Sequence, residues 1–279
     1  MGEYKFPELN LSDWKKTRDL IQSYAVLLSD IKSGFSFHQK NWEEHSLKIY
    51  AKGLTTTPIP VIINSGIETL DLNLNLIEHS LKIFCGSSRL SVSFENQSSL
   101  SFAKETMGIL KELGVDYRIY DKDYSSGNQG NYSGEKASAY WNVLKQIYFV
   151  LLEFKGSLIE ETSSINFWPD HFDIAMLWFS GRLIPGKDPS DWDHSREQMN
   201  FGFSTGDDEI PEPYFYMTAY PFNEELTKSK LPNNAFWHTE GWKGAVLKYS
   251  ELTKSGKPKE LLISLLNKVL SLNKKLISL

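Results

Sequence analysis

Glu68-Thr69-Leu70-Asp71-Leu72-Asn73-Leu74-Asn75-Leu76 alternates leucine with a short polar side chain. A period of two sends Leu70, Leu72, Leu74 and Leu76 to one side of an extended chain and Asp71, Asn73 and Asn75 to the other. The stretch therefore predicts a strand with one apolar face and one wet face, as antiparallel sheets allow. Around it, residues 47–52, 61–64, 81–85 and 90–94 read as further strands, parted by short turn-rich gaps. No helix is long enough to intervene between them. Parallel βαβ architecture is thereby disfavoured, and the fold class is α+β with antiparallel sheets and packed helices.

Helical spacing appears where the strands stop. Leu20, Ile21, Tyr24, Ala25, Leu28 and Ile31 recur along 12–32, behind a Ser12 N-cap. A second helix is expected over 100–113 with Gly114 as its stop, a third over 139–157, and a Leu-rich fourth over 259–276. In the second half, 171–180, 198–204, 214–220 and 242–247 are strand candidates, and 115–120 is one more in the first.

Two segments resemble each other. Trp42-Glu43-Glu44-His45 and Trp168-Pro169-Asp170-His171 each follow an amphipathic pattern and precede a strand-like run. This predicts an internal duplication: a half over 1–120, a flexible Ser/Gly/Asn connector over 121–138, and a related half over 139–279, packed as one globular unit about a pseudo-two-fold. Two such sheets would leave a cleft between them.

A net charge of −5 with acids and bases interleaved leaves no basic surface for a phosphate backbone, so nucleic acid is not an expected partner. No apolar run approaches the ~20 residues of a membrane span, and the start of the chain has no charged-then-apolar leader. A cytoplasmic protein is expected. The one cysteine, Cys85, excludes an internal disulfide and a thiolate zinc cluster, and its alternation with Leu81 and Ile83 predicts a buried sheet face. No Gly-rich phosphate loop precedes a helix, and no cofactor or resident metal is expected.

Gly53-Leu54-Thr55-Thr56-Thr57-Pro58-Ile59-Pro60, then Phe172-Asp173-Ile174-Ala175 with Phe179-Ser180-Gly181-Arg182, then Tyr214 and Ala219-Tyr220-Pro221 carry a family resemblance. They are similar, in the same order, to the signatures of a bacterial family of unknown function. That resemblance spans most of the chain and implies no activity, substrate or cofactor.

The candidate chemistry divides into groups. Arg182 with Ser180 and Asp173 could fork to an anionic ligand, or Arg182 could close an internal salt bridge to Asp173 or to an acid of the 188–193 loop. His45 and His171, matched by the repeat, could shuttle a proton or ligate a metal with Glu44 and Asp170. Tyr214, Tyr216 and Tyr220 share a strand face, with Trp237, His238 and Trp242 soon after, which suits either an aromatic cleft or a sheet seam. Gly202-Phe203-Ser204-Thr205-Gly206 matches a nucleophile elbow, but the prolines after it prevent the required helix. Asp191-Trp192-Asp193-His194 gathers acids and a His in a polar loop.

From these the expected function is binding of a small polar or anionic molecule in an aromatic-lined cleft, contacted by Arg182, Ser180, Asp173, Trp42, Trp168, His45, His171 and Tyr216. Two other classes stand beside it. One is an enzyme using His45, His171, Asp173 or His238 as acid and base, and the other an interaction module whose aromatic seam makes a homodimer.

Overall fold

The computed structural model describes residues 6–115 and 131–277. Beyond Val115 the expected strand over 115–120, and most of the 121–138 connector, lie outside the described residues. In chain order the elements are α1 (Leu11–Phe35), a 3₁₀ turn (Lys40–His45), β1 (Lys48–Tyr50), β2 (Gly53–Thr55), β3 (Ile59–Ile63), β4 (Gly66–Asn75), β5 (Ser80–Cys85), β6 (Ser88–Ser93), α2 (Ser99–Glu112) and α3 (Gly134–Gly156). There follow β7 (Asn166–Trp168), β8 (Asp173–Leu183), β9 (Arg196–Ser204), β10 (Tyr214–Tyr220), a 3₁₀ turn (Glu224–Lys228), β11 (Phe236–His238), β12 (Gly244–Lys248), α4 (Tyr249–Thr253) and α5 (Pro258–Ile277). Helices and antiparallel sheets make this an α+β protein, as the alternation predicts.

The chain forms two compact units. An amino unit holds Ser12–Trp141 and Asn166–Phe172; a carboxy unit holds the chain through Leu11, Asn142–Ile165 and the chain from Asp173 onward. The division falls inside α3, whose first turns, including the Gly134 to Ser138 stretch assigned by sequence to the connector, belong to the amino unit.

In the amino unit the sheet runs β1-β2-β4-β5-β6, with β3 also paired to β4. Leu70, Leu72, Leu74 and Leu76 are fully buried, and Tyr24 of α1 stacks on Phe102 of α2 at 3.9 Å with Phe94 beside both. Each of these leucines contributes about 1.5–3 kcal/mol by leaving water. The opposite face of β4 corrects the expectation of a wet surface, because Asn73 and Asn75 are buried as well. Hydrogen bonds make that burial tolerable. Asp71 Oδ1 accepts from Thr55 Oγ1 at 2.6 Å and Asn73 Nδ2 at 2.7 Å, while Asn75 Oδ1 caps the turn by accepting from the backbone of Ile77 and Glu78. Cys85 is buried in β5 as its alternation predicts. Ser98 and Ser101 form a reciprocal cap on α2, and Gly114, at φ +80°, ends it where expected. Helix α1 starts one residue before Ser12, whose hydroxyl lies in the first turn on Asp13 and is not the N-cap.

In the carboxy unit the strands run β11-β12-β10-β9-β8, all antiparallel. Register sorts the side chains into two faces. Ile174, Phe203, Phe215 and Leu247 lie in one row, and Met176, Phe201, Met217 and Ala245 in the next; all are buried. Phe154 of α3 meets Phe201 at 4.9 Å, and the α5 stripe of Leu262, Leu265, Leu266 and Val269 is buried as its spacing predicts. The other face carries Asp173, Ser204 and Tyr214 in one row, Ala175, Gly202 and Tyr216 in the next, then Leu177, Asn200 and Thr218. A sheet of this kind commits its apolar side to helices and leaves its polar side for chemistry.

Candidate functional site

The polar face is built around Asp173, which is 7% exposed. Tyr216, two strands away, donates its phenolic proton to Asp173 Oδ2 across the intervening Gly202. Only a glycine allows this, since a Cβ at 202 would overlap the Tyr216 ring. Burial pushes the Tyr216 phenol well above its ordinary value of 10.0; the charge of Asp173 and the bond to it push the same way, and Asn200 opposes them. The phenol thus stays a donor to a buried carboxylate. Beside it, Tyr214 donates to Asp207, whose other oxygen accepts from the backbone of Glu209 and Ile210 and so pins the 207–210 loop.

Ile210, Tyr214 and Val246 form a small apolar cluster with Tyr216 and Trp242 packed on it. Trp242 stacks on Tyr214 at 6.3 Å and meets Tyr216 edge-on at 6.4 Å, while His238 lies 4.5 Å from the indole and 3.3 Å from Glu209. Asn200 Oδ1 is buried and finds no hydrogen-bond partner among the described residues. An unmet buried acceptor costs about 1–3 kcal/mol and asks for a reason.

Ser180 and Arg182 lie toward the other end of β8, Ser180 about 23 Å along the strand from Asp173 at an extended rise and Arg182 beyond it. There the register shifts between Phe179 and Leu183, and Gly181 takes φ +83°. Ser180 Oγ donates to Glu197 at 3.0 Å and accepts from the backbone of Arg182 at 3.1 Å; Arg182 Nε is 3.7 Å from the same Glu197 carboxylate. The Arg182 side chain is 58% exposed. Glu197, which the sequence reading did not single out, is an ionic partner of Arg182.

Trp42, His45, Trp168 and His171 belong to the amino unit. Trp168 is half-buried at the end of β7, and the turn after it is tied to α1 by Gln22, which donates to the carbonyls of Pro169 and Asp170. His171 is exposed. Trp42 sits in different local structure: it and Asn41 both take left-handed backbone, φ 57° and 58°, inside the 3₁₀ turn, and its indole is 53% exposed. Such backbone costs a bulky residue on the order of 1–3 kcal/mol. His45 Nε2 lies 3.8 Å from Glu44, while His38 Nδ1, unnoticed in the sequence, bonds the same carboxylate at 2.7 Å.

The acid–base set expected for an enzyme is therefore divided. His45 and His171 fall in one unit, Asp173 and His238 in the other, where Asp173 pairs with Tyr216 and His238 with Glu209. Ser204 ends an antiparallel strand and accepts from the backbone of Gly206, with loop and not helix beyond it, so no nucleophile elbow forms. In the 191–194 tract, His194 caps back onto Asp191 at 3.0 Å in exposed surroundings. No cluster of three or more His, Cys, Asp or Glu that could hold a metal occurs among the described residues. No helix among them is long and apolar enough to cross a membrane.

Glu197, Asn200 and Asp207 acquire their roles only through strand register and loop closure. The tyrosine row of β10 was the one part of this site that spacing could reveal. The model of the Family of unknown function (DUF5996) matches residues 6–276, and the chain belongs to that family. No curated protein and no solved structure matches it.

Proposed function

We propose, for this member of a family with no assigned activity, that the polar face of the carboxy unit binds a small molecule rich in hydrogen-bond donors, an organic amine or ammonium. The observation that carries this reading is the buried Asp173–Tyr216 pair beside the unmet Asn200 acceptor, on a face walled by Tyr214 and Trp242. The acceptors Asp173, Asp207, Glu209 and Asn200 gather there. Lys248 at the end of β12 is engaged by Glu212 at 2.6 Å. Aromatic faces next to carboxylates are the chemistry that holds an ammonium group, by charge and by cation–π attraction. Arg182, expected to take an anion, is turned to Glu197. The polar ligand expected from sequence is thus kept, with its charge reversed.

Calorimetric titration of matched alkyl amines and carboxylates tests it. Saturable binding of amines that is lost in Asp173→Asn and kept in Arg182→Ala supports the reading. Tighter binding of the carboxylates, or amine binding indifferent to Asp173→Asn, overturns it.

A further inference from the structure

The amino unit spends a buried acid on an exposed histidine. Glu44 is 5% exposed, yet both its oxygens serve the turn above it: Oε1 bonds His38 Nδ1 at 2.7 Å and Oε2 accepts from the backbone of Gln39 at 3.0 Å. Burial opposes ionisation of Glu44, but the bonds from His38 and Gln39 overcome it and hold the carboxyl below its ordinary range. An ionised carboxylate accepts only, so in its neutral form His38 carries its proton on Nδ1. The Nε2 lone pair is then committed to the outside, on a ring whose side chain is 61% exposed.

The Trp42 indole lies edge-on to the His38 ring, 4.8 Å between ring centres, with the His45 ring 6.1 Å from the indole on the same turn. The indole is held exposed by an anchored backbone. Lys32 of α1 donates to the carbonyls of Glu43 at 3.0 Å and Ser46 at 2.6 Å, Ser29 donates to the carbonyl of His45 at 2.6 Å, and Ser46 Oγ closes on Glu43 at 2.8 Å. Two successive left-handed residues, fixed from beneath, present a large aromatic face to water next to an oriented base. Packing explains neither the exposure of the indole nor the burial of the acid, and strain kept in place by such over-determination is characteristic of sites.

We propose that the Trp42 turn is a second small-molecule site, taking a flat ring that bears an acidic O–H or N–H, a phenol or an azole, with the ring stacked on the indole and its proton accepted by His38 Nε2. The step balances within the pair. The proton passes from the ring hydroxyl to Nε2, the electron pair stays on the oxygen as phenolate, and Glu44 faces the imidazolium that forms.

The test uses the full chain with labelled histidine and p-nitrophenol as the probe. The wild type is expected to show His38 as the Nδ1–H tautomer, to bind p-nitrophenol saturably with phenolate absorption, and to move the His38 Nε2 resonance toward its protonated position. Trp42→Ala should weaken binding by roughly tenfold, a loss of about 1.4 kcal/mol. Trp42→Phe should keep it. Glu44→Gln should release the tautomer and lessen the phenolate signal. The proposal is overturned if wild-type His38 carries its proton on Nε2, if p-nitrophenol does not saturate, or if Trp42→Ala and Glu44→Gln bind it as the wild type does.

Discussion

The aromatic ring of Tyr216 occupies the space that any side chain at position 202 would need. Gly202 sits between Ala175 and Tyr216 in the same row of the sheet, so the phenol reaches Asp173 by lying flat over a residue with no side chain. Gly202→Ala should therefore displace the ring, cost about 1–3 kcal/mol as overpacking does, and break the Tyr216–Asp173 bond. Urea unfolding measures the first effect, and loss of amine binding by calorimetry the second. A variant as stable as the wild type would show that the ring can move aside.

Alkaline pH should weaken the fold. Burial, the largest cause at each site, raises the phenols of Tyr24, Tyr50, Tyr132, Tyr214, Tyr216 and Tyr249 above their ordinary value. A group whose folded pKa is raised stabilises below its unfolded value and loses that contribution as pH climbs. Stability should fall from about pH 10 upward, by up to about 1.4 kcal/mol per pH unit for each phenol. Denaturant midpoints across that range should drop more gently in Tyr216→Phe. An identical slope would mean that Tyr216 ionises freely in the folded protein.

Lys32 should act with the opposite sign at lower pH. Burial first, then the charge of Lys48, brings its ammonium from 10.5 down to about 8. The unfolded chain binds the proton more tightly, so stability rises as pH passes from about 8 toward 10 and the cost of the buried charge is relieved. Lys32→Met should abolish that rise. It also strips the Glu43 and Ser46 carbonyls of their donor, at about 1–3 kcal/mol if they stay buried. The wild-type minus variant difference in urea midpoint, followed from pH 7 to 10, checks both; a flat difference argues against a depressed amine.

Arg182→Ala should matter less than Ser180→Ala. An exposed guanidinium 3.7 Å from Glu197 belongs to the class of surface pairs worth about 0–1 kcal/mol. Ser180 both donates to Glu197 and accepts from the backbone of Arg182 where β8 shifts register, and its loss should cost about 1 kcal/mol. Thermal unfolding of the two variants ranks them, and the reverse order would make Arg182 the anchor of this strand end.

Periodicity made the elements visible. The leucine alternation of 68–76 located β4, the tyrosine spacing of 214–220 located β10, and the Leu262 to Val269 stripe located α5. Alternation could not show that Asn73 and Asn75 are covered, because a strand's polar side looks alike whether water or hydrogen bonds satisfy it. Pairings were equally silent. Glu197 reaches Ser180 across 17 positions and Tyr216 reaches Asp173 across 43, distances set by which strands are neighbours and in what register. His38 and Glu44 are only six positions apart, yet the turn that joins them depends on left-handed backbone at Asn41 and Trp42, and nothing in a tryptophan announces that conformation.

The short insert Asn166–Phe172 belongs to the amino unit although the chain on either side of it belongs to the carboxy unit. Leu47 and Phe167 exchange backbone hydrogen bonds at 2.8 and 2.9 Å, so the strand pairing that begins at Leu47 waits for a partner synthesised 120 positions later. During translation the ribosome must therefore release Phe172 before the amino unit can close, by which time α3 has already emerged. A fragment ending at Trp141 would expose an unmated strand edge, and neither unit can be cut out as a continuous gene segment.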